Sequence, residues 1–428
     1  MGAAFVMLQC NMSDEEAFVI IVPQRPVLAT GMAATLQGIG GGLGWSVLPA
    51  TMPLVATELR MSHAESGFVW GAAALGIAIA SPFGGAAVDR FGPRRVAGVA
   101  MLAGALACAA RAWAFSPLAL ALTMLLFGMH VGFVAPSIPK ALAGHVAANR
   151  LARANGLALL AYTLGTALTV LVARTVLAPL VGGWRPLMIV AAFAMALAGV
   201  LWLVLLRDRT TLARHASVAD GLRLLRNAGV RNVAAIHFLL FGGYLALLGY
   251  LPRALIESGL SPSQTGLTVA AWLGSAGVAN FAGPWLSDRI GLRKPTVLLG
   301  AVVAAFALAA VAFAPATLRA PLLALGALGG GAFAPLVLML PLELPGVGPA
   351  KAGAALGLLM LVGQIGGFLL PMAVGIAAQE GGFALAIGLL AVVHVAIVLP
   401  ARRLPETGVA AQQSTEPSND APALERAA

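Results

Sequence analysis

The stretch Gly84-Gly85-Ala86-Ala87-Val88-Asp89-Arg90-Phe91-Gly92-Pro93-Arg94-Arg95 decides how the rest of the chain is read. It is a knot of charge between two long apolar runs, and it occurs twice. The second copy is Gly283-Pro284-Trp285-Leu286-Ser287-Asp288-Arg289-Ile290-Gly291-Leu292-Arg293-Lys294. Each copy has a glycine, an Asp-Arg pair beginning five residues later, a second glycine, and two basic residues. The aspartates at 89 and 288 are 199 positions apart in a chain of 428 residues. Gly132, Ala135 and Pro136 keep that interval with Gly331, Ala334 and Pro335, as do Gly182-Gly183-Trp184 with Gly381-Gly382-Phe383. Arg153-Ala154 and Lys351-Ala352 are offset by 198. A common register across several pairs of segments is the mark of an internal duplication.

The composition names the solvent. The chain is 60% hydrophobic and 10% charged, with a mean hydropathy of +0.93. Soluble domains are roughly 25% charged, so this surface belongs in lipid. The net charge of +10 would suit a nucleic-acid partner. The basic residues, however, lie in short loops between apolar runs and not on one face, which excludes that partner and makes them a record of topology. Cys10 and Cys108 offer neither a disulfide framework nor metal-ligand spacing. Gly38-Ile39-Gly40-Gly41-Gly42-Leu43-Gly44 resembles a dinucleotide loop only superficially, because no strand precedes it and no ribose-binding acid follows. Gly38 with Gly42, and Gly40 with Gly44, are small residues one turn apart, suited to close helix contact in lipid. No metal or cofactor is expected, and no nucleophile–base pair points to an enzyme.

A spanning helix needs about 20 mostly apolar residues. Six such runs lie near 27–56, 65–87, 95–115, 117–139, 153–179 and 185–206. Six more lie near 232–254, 264–287, 295–314, 319–342, 352–377 and 382–401. The expected fold is an all-α membrane protein of twelve transmembrane helices in two homologous six-helix bundles. Its parts are an N-terminal segment (1–26), a first half (27–206), a central loop (207–231), a second half (232–401) and a disordered polar tail (402–428). In the central loop Val218, Leu222 and Leu225 recur at helical spacing beside Arg223, Arg226 and Arg231, which suits a short amphipathic helix. Twenty of the 26 basic residues fall at the two ends and in the loops after even-numbered runs. The other six are Arg60, Arg111, Arg174, Arg185, Arg253 and Arg319. The positive-inside bias therefore puts both termini in the cytosol, as an even number of spans requires.

Twelve spans, a central cytosolic loop and the duplicated Gly-x-x-x-x-Asp-Arg-x-Gly-x-Arg-Arg pattern resemble the major facilitator superfamily. The resemblance runs from about residue 27 to 403. It implies a secondary transporter, monomeric, in a bacterial inner membrane, that moves a small solute by rocker-switch alternating access between its halves. It also implies gating roles for Gly84, Asp89, Arg90, Arg94 and Arg95, with Asp89 near the positive N-terminal end of the eleventh helix. Asp288, Arg289 and Arg293 would act likewise against the fifth helix. The fifth run reads Thr163-Leu164-Gly165-Thr166, without the Gly-Pro pair of drug antiporters. Ala135-Pro136-Ser137-Ile138-Pro139-Lys140 and Arg150-Leu151-Ala152-Arg153-Ala154-Asn155-Gly156 are similar to cyanate- and nitroimidazole-type carriers and to organic-anion carriers. A small polar or anionic organic solute is the expected cargo. The alternatives are a drug or metabolite efflux carrier, and a receptor that binds without transporting.

Polar groups at membrane depth are costly and mark transport paths. In the family the cavity is lined chiefly by helices 1, 4, 7 and 10, which makes Gln37, His130, His237 and Tyr244 the candidates for substrate contact. Tyr162, Asn280 and Gln364 follow. All 16 acidic residues lie in loops, tails or helix ends. If protons are the coupling ion, His130 or His237 is the expected carrier, since imidazole titrates near neutrality. Arg111 is expected to snorkel to the outer interface, and Arg174 either to do so or to attract anions at the entrance.

Overall fold

The computed structural model describes residues 26–207, 218–344, 346–347 and 351–408. The segment before Pro26, with Cys10 and Arg25, lies outside the described residues. So do Arg209 and Arg214 of the central loop and the tail beyond Gly408.

Helix begins where the sequence supplies its caps. Helix α1 is Pro26–Glu58, locally widened to a π-helix over Leu36–Leu43. Helix α2, His63–Phe91, starts on a capping box: Ser62 Oγ accepts from Glu65 N at 3.1 Å, and Glu65 Oε2 accepts from Ser62 N at 2.8 Å. Then follow α3 (Pro93–Ala110), α4 (Pro117–His145), α5 (Ala148–Val172, continued by a π-helical turn, Ala173–Leu177) and α6 (Trp184–Leu205). After the short helix Val218–Leu224 comes α7 (Ala228–Glu257), capped by Asn227. Helix α8, Pro262–Ile290, repeats the capping box of α2 with Ser261 and Gln264. The two serines, 62 and 261, are again 199 residues apart. The chain ends with α9 (Lys294–Phe313), α10 (Ala316–Glu343) and α11 (Ala352–Arg402).

Ten of these helices are long and apolar enough to cross a membrane. Helix α8, at 29 residues, is long enough but is not among the ten. Helix α11 runs for 51 residues and breaks at Gly381 (φ −137°) and Gly382 (φ 66°, ψ −156°), which divides it into two arms. The backbone repeats along with the sequence: Gly92 and Gly291, the second glycines of the two motif copies, have φ of 82° and 75°, which favour a residue without Cβ.

In lipid, helices do not pair by hydrophobicity, so small residues that admit a neighbouring backbone set the arrangement. A Cβ on Gly42 of α1 would stand 2.7 Å from Gly165 Cα of α5. The first glycine of each motif copy is such a contact: Gly84 of α2 abuts the Gly132 carbonyl of α4, and Gly283 of α8 abuts the Ala332 carbonyl of α10. The short helix Val218–Leu224 meets the first turn of α11, where a Cβ on Gly221 would lie 2.9 Å from Ala354 O.

The two motif loops share one end of the bundle, called here the motif end; the opposite end is the far end. One continuous apolar core runs through α1–α6 and takes in the far-end portions of the second half, from Leu245 and Leu251 to Trp272, Leu323 and Leu390. The motif-end core of the second half, with Val233, Val297, Phe333, Leu358 and Ile397, is separate. The halves are thus joined at the far end.

Because backbone faces backbone at Gly84, Gly84→Val has no flexible neighbour to displace. We expect it to cost about 1–3 kcal/mol, read as a lower melting temperature of the detergent-purified protein; melting at the wild-type temperature would show that α2 and α4 do not approach so closely.

Candidate solute pathway and gates

Three of the residues picked out in the sequence meet where the halves face each other. Gln37 lies on the π-helical part of α1, Tyr162 on α5 and Tyr244 on α7. The Tyr162 hydroxyl lies close to those of Tyr244 and Thr166, and Thr166 Oγ1 is buried without a hydrogen-bond partner. A Cβ on Gly41 would lie 2.6 Å from Tyr162 Cδ2 and 3.0 Å from Gln37 Oε1, which sets those side chains around one turn of α1. Tyr244 also stacks on Trp272 of α8, with ring centres 5.5 Å apart and planes 24° apart. Sequence reading missed Trp272, since an aromatic residue in an apolar run carries no mark of which side it faces. The group offers an amide, three hydroxyls and an aromatic face, drawn from both halves.

The other candidates go elsewhere. His237 stacks on Phe241 at 5.6 Å and presses on α11, where a Cβ on Gly363 would lie 2.6 Å from its Nε2. His237 Nδ1 and Gln364 Oε1 are both buried without a hydrogen-bond partner, so the α7–α11 contact carries unspent polar capacity. His130 packs inside the first half: its Nδ1 meets the Phe127 carbonyl, its ring sits edge-on to Phe127 at 4.4 Å, and Gly104 of α3 makes room for it. Asn280 is exposed on α8. Among the described residues no three of His, Cys, Asp and Glu gather as a metal ion would need.

Arg111 does not snorkel. It is 0% exposed, donates from Nη1 to Gly44 O at 3.2 Å, and lies 4.0 Å over the Phe127 ring. The chain turns into a short 3-10 segment at Arg111, and the side chain runs back into the bundle toward the end of the π-helical stretch of α1. Its Nε and Nη2 are buried and unpartnered.

At the motif end each copy of the loop is tied within its own half. Asp89 forms an ion pair with Lys140 of α4. Arg94 Nε donates to Leu203 O of α6 at 2.6 Å, and Trp202 Nε1 donates back to Arg94 O at 3.1 Å. Arg90 lies 5.2 Å from the Phe91 ring centre, and Arg95 is exposed. In the second copy Arg293 bonds Asp288 and reaches Glu343 of α10 at 3.1 Å. Glu406 Oε1 accepts from Arg293 N at 2.6 Å, and Thr407 Oγ1 donates to Glu343 at 2.7 Å. The stretch after Arg402, read as the start of the tail, is therefore packed through Gly408, with Leu404 in the core. Arg289 lies 5.5 Å from the Trp285 ring centre.

At the far end the bonds cross between halves. Trp70 Nε1 of α2 donates to Leu245 O of α7 at 2.7 Å. Arg253 of α7 donates to Met61 O and Ser62 O at 3.2 Å each and to Ser66 Oγ at 2.7 Å. Glu257 holds Arg253 at 2.7 Å and His63 of α2 at 3.3 Å. Helix α2 lies directly on α11: a Cβ on Gly71 would stand 2.7 Å from Phe368 O. Arg253 and Glu257 were legible only as loop charge; their i,i+4 spacing gave no hint of a partner in the other half.

Residues 34–371 and 254–425 match the sequence model of the Major Facilitator Superfamily. The chain belongs to the major facilitator superfamily. The hexuronate transporter of Bacillus subtilis is 27% identical over 280 residues, 60% of this chain and 63% of that relative. The nitrite extrusion protein of the same species is 26% identical over 236 residues, 55% of this chain and 58% of that protein. The chain thus spans somewhat less than two thirds of these relatives. Among solved structures, a bacterial homolog of the human lysosomal transporter Spinster, inward-facing and occupied, superposes with a TM-score of 0.73 at 16% identity, covering 88% of this chain and 94% of that one. A D-xylose–proton symporter superposes at 0.68 with 17% identity, covering 89% and 98%. These establish the superfamily fold: an integral, multi-pass, all-helical protein grouped with transporters and not with enzymes.

The two motif copies of this superfamily member should differ in strength. Arg293 serves two carboxylates, so Arg293→Gln leaves the part-buried Glu343 short of a partner and should cost about 1–3 kcal/mol. Lys140→Gln breaks a single pair at the same end and should cost less. Melting temperatures of the two purified variants, measured in one detergent, give the comparison; the reverse order would refute it.

Proposed function

We propose that this superfamily member is a secondary carrier for a small polar or anionic organic solute. The observation that carries the proposal is the central group of Gln37, Tyr162, Tyr244 and Trp272, contributed by both halves and lying beneath a sealed far end. A solute bound there touches both halves, so rocking one half against the other changes which end the solute can leave by. Hydroxyls and an amide suit a hydroxylated solute, and the Trp272 face suits an apolar ring face or a planar group. That the matching relatives are named for hexuronate and nitrite supports keeping anions in the class.

Taking α8 as a span and the two arms of α11 as separate spans brings the ten helices to the expected twelve, six in each half. The basic motif end is then the cytosolic one, the membrane a bacterial inner membrane, and the arrangement inward-facing. The motif loops, with Gly84, Asp89 and Arg94 in one copy and Asp288 and Arg293 in the other, become the cytosolic gate that closes as the far end opens. For proton coupling His237 is better placed than His130, because it stands at an interface between helices with its Nδ1 unsatisfied. The working unit in this reading is a monomer.

Counterflow in proteoliposomes tests the reading. Vesicles loaded in turn with glucuronate, nitrite, a pentose or a nucleoside should accumulate the matching labelled solute by exchange. A solute that binds but never crosses, under any gradient, would leave a receptor and no carrier. For the transported solute, Tyr244→Phe should raise KM by about 2- to 12-fold, the equivalent of one hydrogen bond of about 0.5–1.5 kcal/mol. An unchanged KM would remove Tyr244 from the site.

A further inference from the structure

A cavity of about 340 Å³ opens at the far end between the last turns of α1, the π-helical turn of α5 and the last turns of α7. Its charged lining is Glu58, Arg174, Arg253 and Glu257. Three of the four are satisfied by the protein. Glu58 accepts from Trp184 Nε1 at 2.5 Å and from Arg185 Nε at 2.8 Å. Arg253 and Glu257 bond each other at 2.7 Å, and each also has a partner on α2 or just before it. Arg174 is left over. It forms no ion pair among the described residues, and its Nη1 is buried without a hydrogen-bond partner. It also sits on a π-helical turn, Ala173–Leu177, a distortion frequent at functional sites.

Arg174 as a whole is half-buried, and its Nη1 is the atom that has lost water without gaining a partner, a cost that an anion in the cavity would relieve. The group that meets its planar fork is a planar oxyanion such as a carboxylate or nitrate, taken through two parallel hydrogen bonds. The two acids in the wall do not compete for the site, since each already has its own cation. We infer that this cavity is an anion-binding site, separate from the central group, in which Arg174 holds a small planar oxyanion beside the far-end seal. It borders Arg253, which ties α7 to the start of α2, so an anion bound there abuts the contact that must part when the far end opens. The anion is either the solute waiting at its entrance or a standing inorganic ion.

The test uses the purified full chain in detergent and follows its melting temperature against sodium nitrate, acetate and glucuronate, with chloride holding ionic strength constant and glucose as the neutral control. At least one oxyanion should raise the melting temperature saturably, and glucose should not. A response to glucuronate alone assigns the site to the solute class, and a response to nitrate and acetate as well assigns it to a standing ion. Arg174→Gln should weaken the apparent Kd by about tenfold or more, the scale of a lost bidentate charge-assisted pair, while Lys351→Gln, which removes an exposed cation at the motif end, should leave it unchanged. Arg174→Lys, which keeps the charge and loses the fork, should also weaken it, and serves if the glutamine variant does not fold. A wild-type protein with no saturable response, or arginine variants with the wild-type Kd, would overturn the proposal. So would loss of the nitrate and acetate responses in Tyr244→Phe, which would move the anion to the central group. Because the measurement involves no transport, it can fail while the carrier reading stands, and succeed if that reading fails.

Discussion

Lipid gives one apolar helix no reason to prefer another, so the contacts that organise this protein are those where backbone meets backbone across a small residue. Gly128 of α4 abuts Ala73 of α2, Gly366 of α11 abuts Phe238 of α7, and Gly84 and Gly283 do the same one level lower. These approaches leave no room for a side chain, and they fix how far each helix can slide along its neighbour. The polar contacts depend on that register. Asp89 can reach Lys140 because Gly84, five residues earlier, has already docked α2 against α4. Arg293 can reach Glu343 because Gly283 has docked α8 against α10.

On this frame the two ends of the molecule use charge differently. At the motif end the named ion pairs and hydrogen bonds stay within a half and stiffen each bundle separately. At the far end Trp70, Arg253 and Glu257 bond across from one half to the other. Bonds inside a half can survive a rocking motion, whereas bonds between halves must be exchanged during it. The central group lies between these two regimes, with Gln37 and Tyr162 on one side and Tyr244 and Trp272 on the other. In the proposed carrier such a position would let a solute touch both halves at once.

The candidates chosen from the sequence divide along a physical line. Gln37, Tyr162 and Tyr244 come together, whereas His130 and Arg111 turn into the first bundle. A polar residue in an apolar run announces only that its burial needs compensation. His130 finds that in the Phe127 carbonyl and Arg111 in Gly44 O and the Phe127 ring. A helical rotation of some tens of degrees separates a cavity wall from a bundle core, and π-helical turns in α1 and α5 shift that rotation just where Gln37 and Arg174 lie. The capping boxes, by contrast, were open to reading: Ser62-x-x-Glu65 and Ser261-x-x-Gln264 are local patterns, and both start helices where they stand.

What the sequence determined by itself was whatever depends on composition and on neighbours along the chain. It set the lipid solvent, the helical class, the duplication at an interval of 199, the helix starts, and the loop glycines that take positive φ at 92 and 291. Only the tertiary structure decided which charges meet. Lys140 lies 51 residues from its aspartate, Arg253 lies 187 from the serine hydroxyl it bonds, and Arg174 is notable for meeting no partner at all among the described residues. A charge's partner is chosen by the docking of helix backbones, and that docking rests on many weak contacts summed over the whole bundle, which no single stretch of sequence contains.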